Sequence, residues 1–240
     1  MPDHGRYASG RAVARGADMA GRDTDSRLPQ RIDLPAPRRT SDAVLEAIIA
    51  ARRPERDFAP GPLALAELAQ LLWAAQGITH RDGLRTAPSA GATYPLGVYA
   101  VVGGVEGLPA GIYRYEPDNH ALIAIAAGDR RHALAEAALA QHWIAGAAAI
   151  LAVAAIFERT TNKYGRRGGR YMHIEAGHAG QNVCLQAVAL GLGATVVGAF
   201  DDAAVAAIVD PSVPMTPFCL LPIGRVDSSR DAASPHFRLK

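Results

Sequence analysis

The sequence has few cysteines, few lysines and no long apolar run, and these shortages exclude several classes of protein. Of its 240 residues only Cys184 and Cys219 are cysteines, too few for a disulfide framework or a metal cluster built from cysteines. The longest apolar run, residues 145–157, is too short to span a membrane as a helix. The N-terminus has arginines but no apolar segment of the kind found in secretory signals. We therefore expect a cytoplasmic protein without a membrane span.

Positive charge is concentrated in the first forty residues. Residues 1–40 contain eight arginines and five aspartates, an excess of three positive charges. The other 200 residues contain 17 basic and 18 acidic side chains, so their net charge is −1. A nucleic-acid-binding domain carries a surplus of basic residues, because it must neutralise phosphates. The body of the chain lacks that surplus, and we predict no nucleic-acid partner.

Composition divides the chain into one domain with two flanking segments. Residues 1–40 are rich in Arg, Asp, Gly and Pro, which predicts a flexible extension. Residues 41–228 have the periodic patterns of one folded domain, and their number is ample for a substantial core. We predict that residues 229–240 form a C-terminal tail.

Apolar periodicity in the domain predicts helices and strands in an irregular order. The predicted helices lie between Ser41 and Pro54, over residues 66–76, 129–141 and 171–190, and after Asp201. The predicted strands cover residues 98–102, 111–115, 121–125, 147–157, 195–200 and 218–225, the fourth of which also fits a helix. This order lacks regular βαβ alternation and therefore predicts an α+β fold.

Two familiar motifs are excluded by their context. Gly191-Leu192-Gly193 follows a predicted helix, whereas a dinucleotide-binding glycine motif follows a strand, so we interpret it as a helix end. His173 and His178 are five residues apart and do not share a helix face as zinc ligands would. We predict no metal site.

An arginine cluster, defined as Arg52, Arg53 and Arg56, surrounds Pro54 at the predicted end of the first helix. Cations stabilise the C-terminal end of a helix dipole, and this effect alone could explain the cluster. Guanidinium groups also bind phosphate oxygens in pairs, which favours a phosphate site. The residue types leave both interpretations open.

Two stretches of small residues each permit a structural and a functional interpretation. Residues 88–92 could let a flat ligand with polar edges approach the backbone, or they could form an ordinary turn. Small residues at positions 176, 177, 179 and 180 cost helix propensity in the longest predicted helix, and close packing would compensate. That packing could be internal or could form a subunit interface.

Seven segments, taken in order, resemble the nitroreductase superfamily of flavoproteins, and within it the SagB/ThcOx-type dehydrogenase branch. They are residues 52–58, 68–77, 85–95, 111–115, 163–171, 175–182 and 197–200. The resemblance covers residues 41–226. It implies a nitroreductase-like α+β fold with a central mixed β-sheet flanked by helices. It also implies that a long central helix lies at a homodimer interface, where FMN is bound.

The resemblance also assigns cofactor-binding residues. It places Arg52, Arg53 and Arg56 on the flavin phosphate, with Pro54 where the family usually has serine, so that one hydroxyl contact is missing. It places the flavin ring or ribityl chain against Pro88, Ser89, Ala90 and Gly91, and the reactive side of the flavin against Val197 and Gly198. Arg225 would add a second phosphate contact.

The activity implied by the resemblance is two-electron hydride transfer on a small-molecule or peptide substrate, with NAD(P)H as a candidate electron donor. In the SagB/ThcOx branch the reaction is oxidation of peptide azolines, and the pair Lys163 and Tyr164 would remove the proton. One alternative is an NAD(P)H-dependent nitroreductase-type reductase. Another is a flavin-binding partner subunit of a peptide-modifying complex without independent turnover, with residues 1–40 as a docking arm.

The position of Lys163 adds an argument from composition. It is the only lysine before the C-terminal Lys240, in a chain that otherwise uses arginine. Arginine stays protonated, whereas a desolvated lysine can lose its proton and act as a base. An ordinary surface lysine would give the same sequence, so this hypothesis requires a test.

Overall fold

Seven strands form one antiparallel sheet in the computed structural model, which describes residues 30–227. The strands are β1 Arg31–Asp33, β2 Leu96–Val102, β3 Gly111–Glu116, β4 Ala121–Ala127, β5 Ala149–Ala155, β6 Leu192–Ala194 and β7 Thr216–Arg225. The helices are α1 Leu45–Ala51, α2 Leu65–Gln76, α3 Arg131–Ala137, α4 Glu158–Tyr164, α5 Gly168–Ala189 and α6 Asp202–Val209. Short 3₁₀ turns cover Ala90–Ala92, His142–Gly146 and Gly165–Arg167.

The strand order is β1-β4-β3-β2-β5-β7-β6, and all six pairings between these strands are antiparallel. The α+β class is confirmed, but the expectation of a mixed sheet is wrong. Strands β2, β3 and β4 follow one another as antiparallel neighbours, which needs only short turns. Two parallel neighbouring strands would need a connection that crosses back to the same end of the sheet. None of the pairs among the named strands is parallel.

Helices cover both faces of the sheet. Alternate residues of β2 belong to different apolar clusters, since Val98 packs with α2 and α5 whereas Tyr99 packs with α3 and α6. On the first face Leu72 and Met172 are fully buried, and on the second face Leu134 is fully buried. The sheet is therefore the middle layer, and α5 lies along its first face.

Most of the predicted elements are confirmed, with some shifts. The predicted strand over residues 147–157 is a strand in which all seven residues of β5 are buried. The predicted helix over residues 129–141 ends at Ala137, because Leu139 and Ala140 have positive φ angles. The predicted strand over residues 195–200 is wrong: β6 ends at Ala194, and Val197 forms only an isolated bridge to Leu220. The helix α4 was not predicted.

The N-terminal boundary also needs correction. Residues 31–33 pair with residues 121–123 of β4, and the buried Leu34 donates its backbone N–H to the carbonyl of His120. These residues belong to the sheet, although the extension was predicted to reach residue 40. Residues 1–29 and the tail predicted over residues 229–240 lie outside the described residues. No described helix has the length and apolar character that a membrane span requires.

Candidate functional site

The structure brings the loop of residues 88–91 against Lys163 and Tyr164, which lie at the end of α4. The Lys163 Nζ donates a hydrogen bond of 3.1 Å to the carbonyl of Gly91. A Cβ atom at Gly91 would lie 2.6 Å from that Nζ and would overlap the Tyr164 hydroxyl. Only glycine therefore permits this contact, which joins two segments more than seventy residues apart.

The loop holds a backbone conformation that is costly for most residues. Gly91, Ala92 and Tyr94 have φ angles of 57°, 55° and 43°, in the left-handed region. The Ser89 hydroxyl stabilises this turn by accepting the N–H of Tyr94 at 2.9 Å. Strained backbone kept in place by neighbouring contacts is typical of functional sites.

Glu175 of α5 holds the loop of residues 88–91 in place by a hydrogen bond. It was not among the residues predicted for the site. Its side chain is buried, and its Oε1 accepts the backbone N–H of Ala90 at 2.8 Å. Burial raises the pKa of Glu175, while hydrogen bonds from Ala90 and from the Ser89 hydroxyl act in the opposite direction. The signal in the sequence is an acidic residue among small ones in residues 175–182.

Asn182 is a second side chain of α5 that forms hydrogen bonds with the backbone of neighbouring segments. Two turns further along α5, its Nδ2 donates to the carbonyls of Ala74, at 3.1 Å, and Thr86, at 3.3 Å. The two side chains of α5 therefore hold the loop and the end of α2 together.

The environment of the lysine pair is partly open. Lys163 is exposed and Tyr164 is half-buried, with its ring in an edge-to-face contact with Tyr171 at 5.1 Å between centroids. The desolvation that a lysine base requires is therefore not provided by this chain alone. A bound ligand or a second chain would have to cover Lys163.

Val197 and Gly198 directly follow Val196, which lines a cleft of about 210 Å³ beside α5. The buried Val197 exchanges two backbone hydrogen bonds with Leu220, of 2.8 and 2.9 Å, whereas Gly198 is exposed. The cleft itself is lined by His173, Ala176, Gly177, Gly180, Val196, Phe218 and Cys219. Among the small residues of α5, Ala176, Ala179 and Gly180 are buried, as internal packing requires. Gly177 is exposed, as a residue of a subunit interface would be in a single chain.

The arginine cluster does not converge within one chain. Arg53 donates from Nη1 to the carbonyls of Ala50 and Arg52, both at 2.8 Å, and so caps the end of α1. The Arg56 guanidinium lies over the ring of Trp143, 5.8 Å from its centroid. Arg52 is half-buried, and Pro54 is exposed. The contacts of Arg53 support the interpretation that the cluster stabilises the end of a helix.

Arg225 is occupied by other protein groups. Its Nη1 and Nη2 bind both carboxylate oxygens of Glu67, at 2.7 and 2.8 Å, and its Nε donates to the carbonyl of Pro62. A paired guanidinium of this kind is held by its partners. The contacts do not support the expected phosphate contact and instead join β7 to the start of α2.

The predicted cofactor residues fall into two groups at different points along α5. Glu175 contacts the loop of residues 88–91, while Val188 lines a pocket together with Arg53. Thirteen residues separate these two points, which corresponds to about 20 Å along a helix. No group of three metal-ligating side chains occurs within residues 30–227.

Comparisons with known proteins give matches over most of the chain. The model of the nitroreductase family matches residues 49–225. A protein of Methanocaldococcus jannaschii, assigned as a nitroreductase, is 46% identical over 181 residues, which are 75% of this chain and 90% of that protein. The crystal structure of a protein assigned as a nitroreductase from Ralstonia eutropha JMP134 is 30% identical, with a TM-score of 0.73, and the match covers 83% of this chain and 91% of that one.

A third structure is more distant. In the Escherichia coli microcin synthetase McbBCD complex, with truncated pro-MccB17 bound, one chain matches with a TM-score of 0.62 and 23% identity. The match covers 91% of this chain and 85% of that chain, and it shows a shared fold. From the family match and the two closer relatives we conclude that this chain is a member of the nitroreductase family.

Proposed function

We propose that the protein is an FMN-dependent oxidoreductase that transfers two electrons as hydride, with the flavin held between two copies of the chain. The observation that carries this proposal is the loop of residues 88–91, pressed against Lys163 and held by Glu175. Membership of the nitroreductase family supports an oxidoreductase.

The described residues fit a flavin. At Gly91 the space of a side chain is taken by the ends of Lys163 and Tyr164, whereas the exposed Gly198 leaves its backbone open to a flat ring. The arginine cluster offers cations for one phosphate group. A flavin that contacts both groups is supported best between two chains, since about 20 Å of helix separates the groups within one chain.

Exposed apolar side chains support the homodimer. Val44, which precedes α1, and Leu45 and Ile49 of α1 are 54–60% exposed, and Ile174 and Val196 are about half exposed. A contiguous exposed apolar patch marks an association surface. Val196 also lines the cleft beside α5, and a second copy seated on it would cover that cleft.

The chain's own residues would bind, orient and move a proton. The arginine cluster would neutralise the phosphate, and the loop of residues 88–91 would orient the ring. The flavin, when bound, supplies the hydride chemistry. The Lys163 Nζ would take the proton that leaves the substrate, and the Tyr164 hydroxyl would stabilise the charge.

For the substrate we propose azoline-type oxidation of a peptide or a related small molecule. The order of the seven segments supports the SagB/ThcOx branch, and the McbBCD complex has the same fold. A second candidate is an NAD(P)H-dependent reductase, which is supported by the assignment of the Methanocaldococcus jannaschii relative as a nitroreductase. Anaerobic mixing of the flavin-loaded protein with a thiazoline peptide or with NAD(P)H distinguishes the two, because only the true electron donor bleaches the flavin.

The first testable prediction concerns cofactor identity. The purified protein should be yellow and should release FMN rather than FAD when it is denatured. The physical reason is a single arginine cluster, suited to one phosphate, and the lack of a dinucleotide-binding glycine motif in the sequence. Chromatography of the released flavin checks this. A colourless protein that takes up no added FMN would contradict the proposed function.

A second prediction tests the arginine cluster. Replacing Arg53 and Arg56 together by glutamate should weaken FMN binding by about 100-fold, because charged hydrogen bonds to phosphate are lost and repulsion is added. Quenching of FMN fluorescence measures the affinity, and circular dichroism checks the fold.

The matched control makes the same charge change at Arg81 and Arg130, which are exposed and lie outside the candidate site. The control should bind FMN as the unaltered protein does. Equal affinity of both double variants would leave the cluster with its helix-end role alone.

A further inference from the structure

A separate cavity of about 300 Å³ lies where the ends of β2, β3 and β5 meet. Three arginines line it: Arg85, which begins the segment of residues 85–95, Arg114 of β3 and Arg159 of α4. None of the three belongs to the proposed flavin contacts. The cavity is large enough for a small organic molecule.

Arg85 has donor capacity that the protein leaves unused. Its Nη1 donates to the Gln76 Oε1 at 2.9 Å, and its guanidinium stacks on Tyr94 at 4.5 Å from the ring centroid. Its Nε is buried and makes no hydrogen bond to any residue between 30 and 227. A buried donor without an acceptor is unfavourable, so an acceptor entering the cavity would be stabilised. Burial also lowers the pKa of Arg85, an effect that Asp118 opposes.

The other two arginines act on the same space. Arg159 uses one nitrogen, Nη1, to donate to the carbonyl of Tyr94 at 3.2 Å. Arg114 lines the cavity, and within the described part of the chain it has neither an ion pair nor a side-chain hydrogen bond. Arg159 acts electrostatically on Arg85, and both Arg114 and Arg159 act on Tyr99. The three guanidinium groups therefore belong to one cavity and affect the same groups.

Acidic residues compensate this positive charge only in part. Glu116 also lines the cavity, but it accepts a hydrogen bond from Asn119 at 2.8 Å and faces Arg31 at 3.8 Å. Asp118 interacts with Arg85 electrostatically, with no direct ion pair between them. Two carboxylates, Glu116 and Asp118, thus line the cavity with three arginines, and the cavity keeps an excess of one positive charge.

Apolar residues also contribute to the lining, namely Leu96, Val98, Ile156, Val213 and Met215. We propose that this cavity is a binding site, distinct from the flavin site, for a small aliphatic carboxylate. The carboxylate lies among Arg85, Arg114 and Arg159, and the aliphatic body lies against the apolar residues of the wall. Planar guanidinium groups match a carboxylate, and the apolar wall disfavours a fully hydrated inorganic anion.

The test compares 4-methylpentanoate with its neutral amide by calorimetric titration of the FMN-treated protein, and repeats the titration without FMN. We expect the acid to bind and the amide to bind at least about tenfold more weakly, because the charged hydrogen bonds are lost. Arg114→Gln and Arg159→Gln should each weaken acid binding about tenfold. Arg81→Gln is the matched control, since its side chain is 89% exposed, and it should bind unchanged.

Arg114 and Arg159 are preferred to Arg85 for the test, because Arg85 packs on Tyr94 and its loss could disturb the fold. Equal binding of acid and amide would overturn the proposal, as would unchanged affinity in both variants. Displacement of the acid by FMN would also overturn it, because the two sites would then be one. Inorganic phosphate that binds as tightly as the acid would overturn the assignment to a carboxylate.

Discussion

A Lys163→Arg variant is expected to lose substrate turnover by about 100-fold or more while its flavin content stays unchanged. Arginine keeps the positive charge and can still donate to the Gly91 carbonyl, but it does not give up its proton at any working pH. General-base catalysis contributes on the order of 10² to 10⁴ in rate, so its loss should be large. The measurement is the rate of flavin reduction by the electron donor at saturating FMN, followed across pH.

The pH profile separates a base from a surface lysine. If Lys163 is the base, the rate of the unaltered protein rises with pH as the lysine loses its proton, and the variant lacks this rise. Arg166→Lys is the matched control, because Arg166 is exposed and lies three residues from Lys163. It makes the opposite exchange, from arginine to lysine. Full turnover of Lys163→Arg would show that the lysine is incidental.

Gly91→Ala is expected to reduce turnover strongly and to cost only about 1–2 kcal/mol of stability. The added Cβ would meet the Lys163 Nζ and the Tyr164 hydroxyl, so both side chains must move away from the loop. Because these are the free ends of flexible side chains, the fold adapts, and the stability loss comes mainly from an alanine held at a φ of 57°. Thermal unfolding and the flavin-reduction rate measure the two effects.

Gly107→Ala is the control for backbone strain. Gly107 has a φ of 72°, and a Cβ there would meet no atom within 4 Å. The two alanine variants should lose similar stability, but only Gly91→Ala should lose turnover. A Gly91→Ala variant with full activity would mean that the contact with Lys163 does not matter for the reaction.

Local elements of the fold could be predicted from the sequence, whereas long-range pairing could not. The alternating strands of the β3–β4 hairpin and the apolar face of α2 are set by near neighbours, and both are confirmed. The direction of pairing depends on how distant strands return to the sheet, and the mixed sheet was expected from the family resemblance alone. Residues 192–197 follow β7 in one register, but the pairing is interrupted at residues 195 and 196, so the predicted strand was placed too late.

In the candidate site, too, contacts between distant segments could not be predicted from local sequence patterns. The contact between Gly91 and Lys163 could be anticipated only from the family resemblance, because no spacing rule joins residues 72 positions apart. Arg225 has its partner Glu67 158 residues away, and no local pattern indicates that ion pair. Glu175 was missed because one acidic residue in a helix is ordinarily exposed, whereas this one is buried under the loop.

The short strand β1 determines where the protein can be shortened. It covers β4 on the side away from β3, and β4 would otherwise present a row of unpaired N–H and C=O groups at the sheet edge. Open edges of this kind pair with other molecules and lead to aggregation. A fragment that begins at residue 41 would expose that edge and lose the buried Leu34, whereas one that begins before Arg31 keeps the strand that protects it.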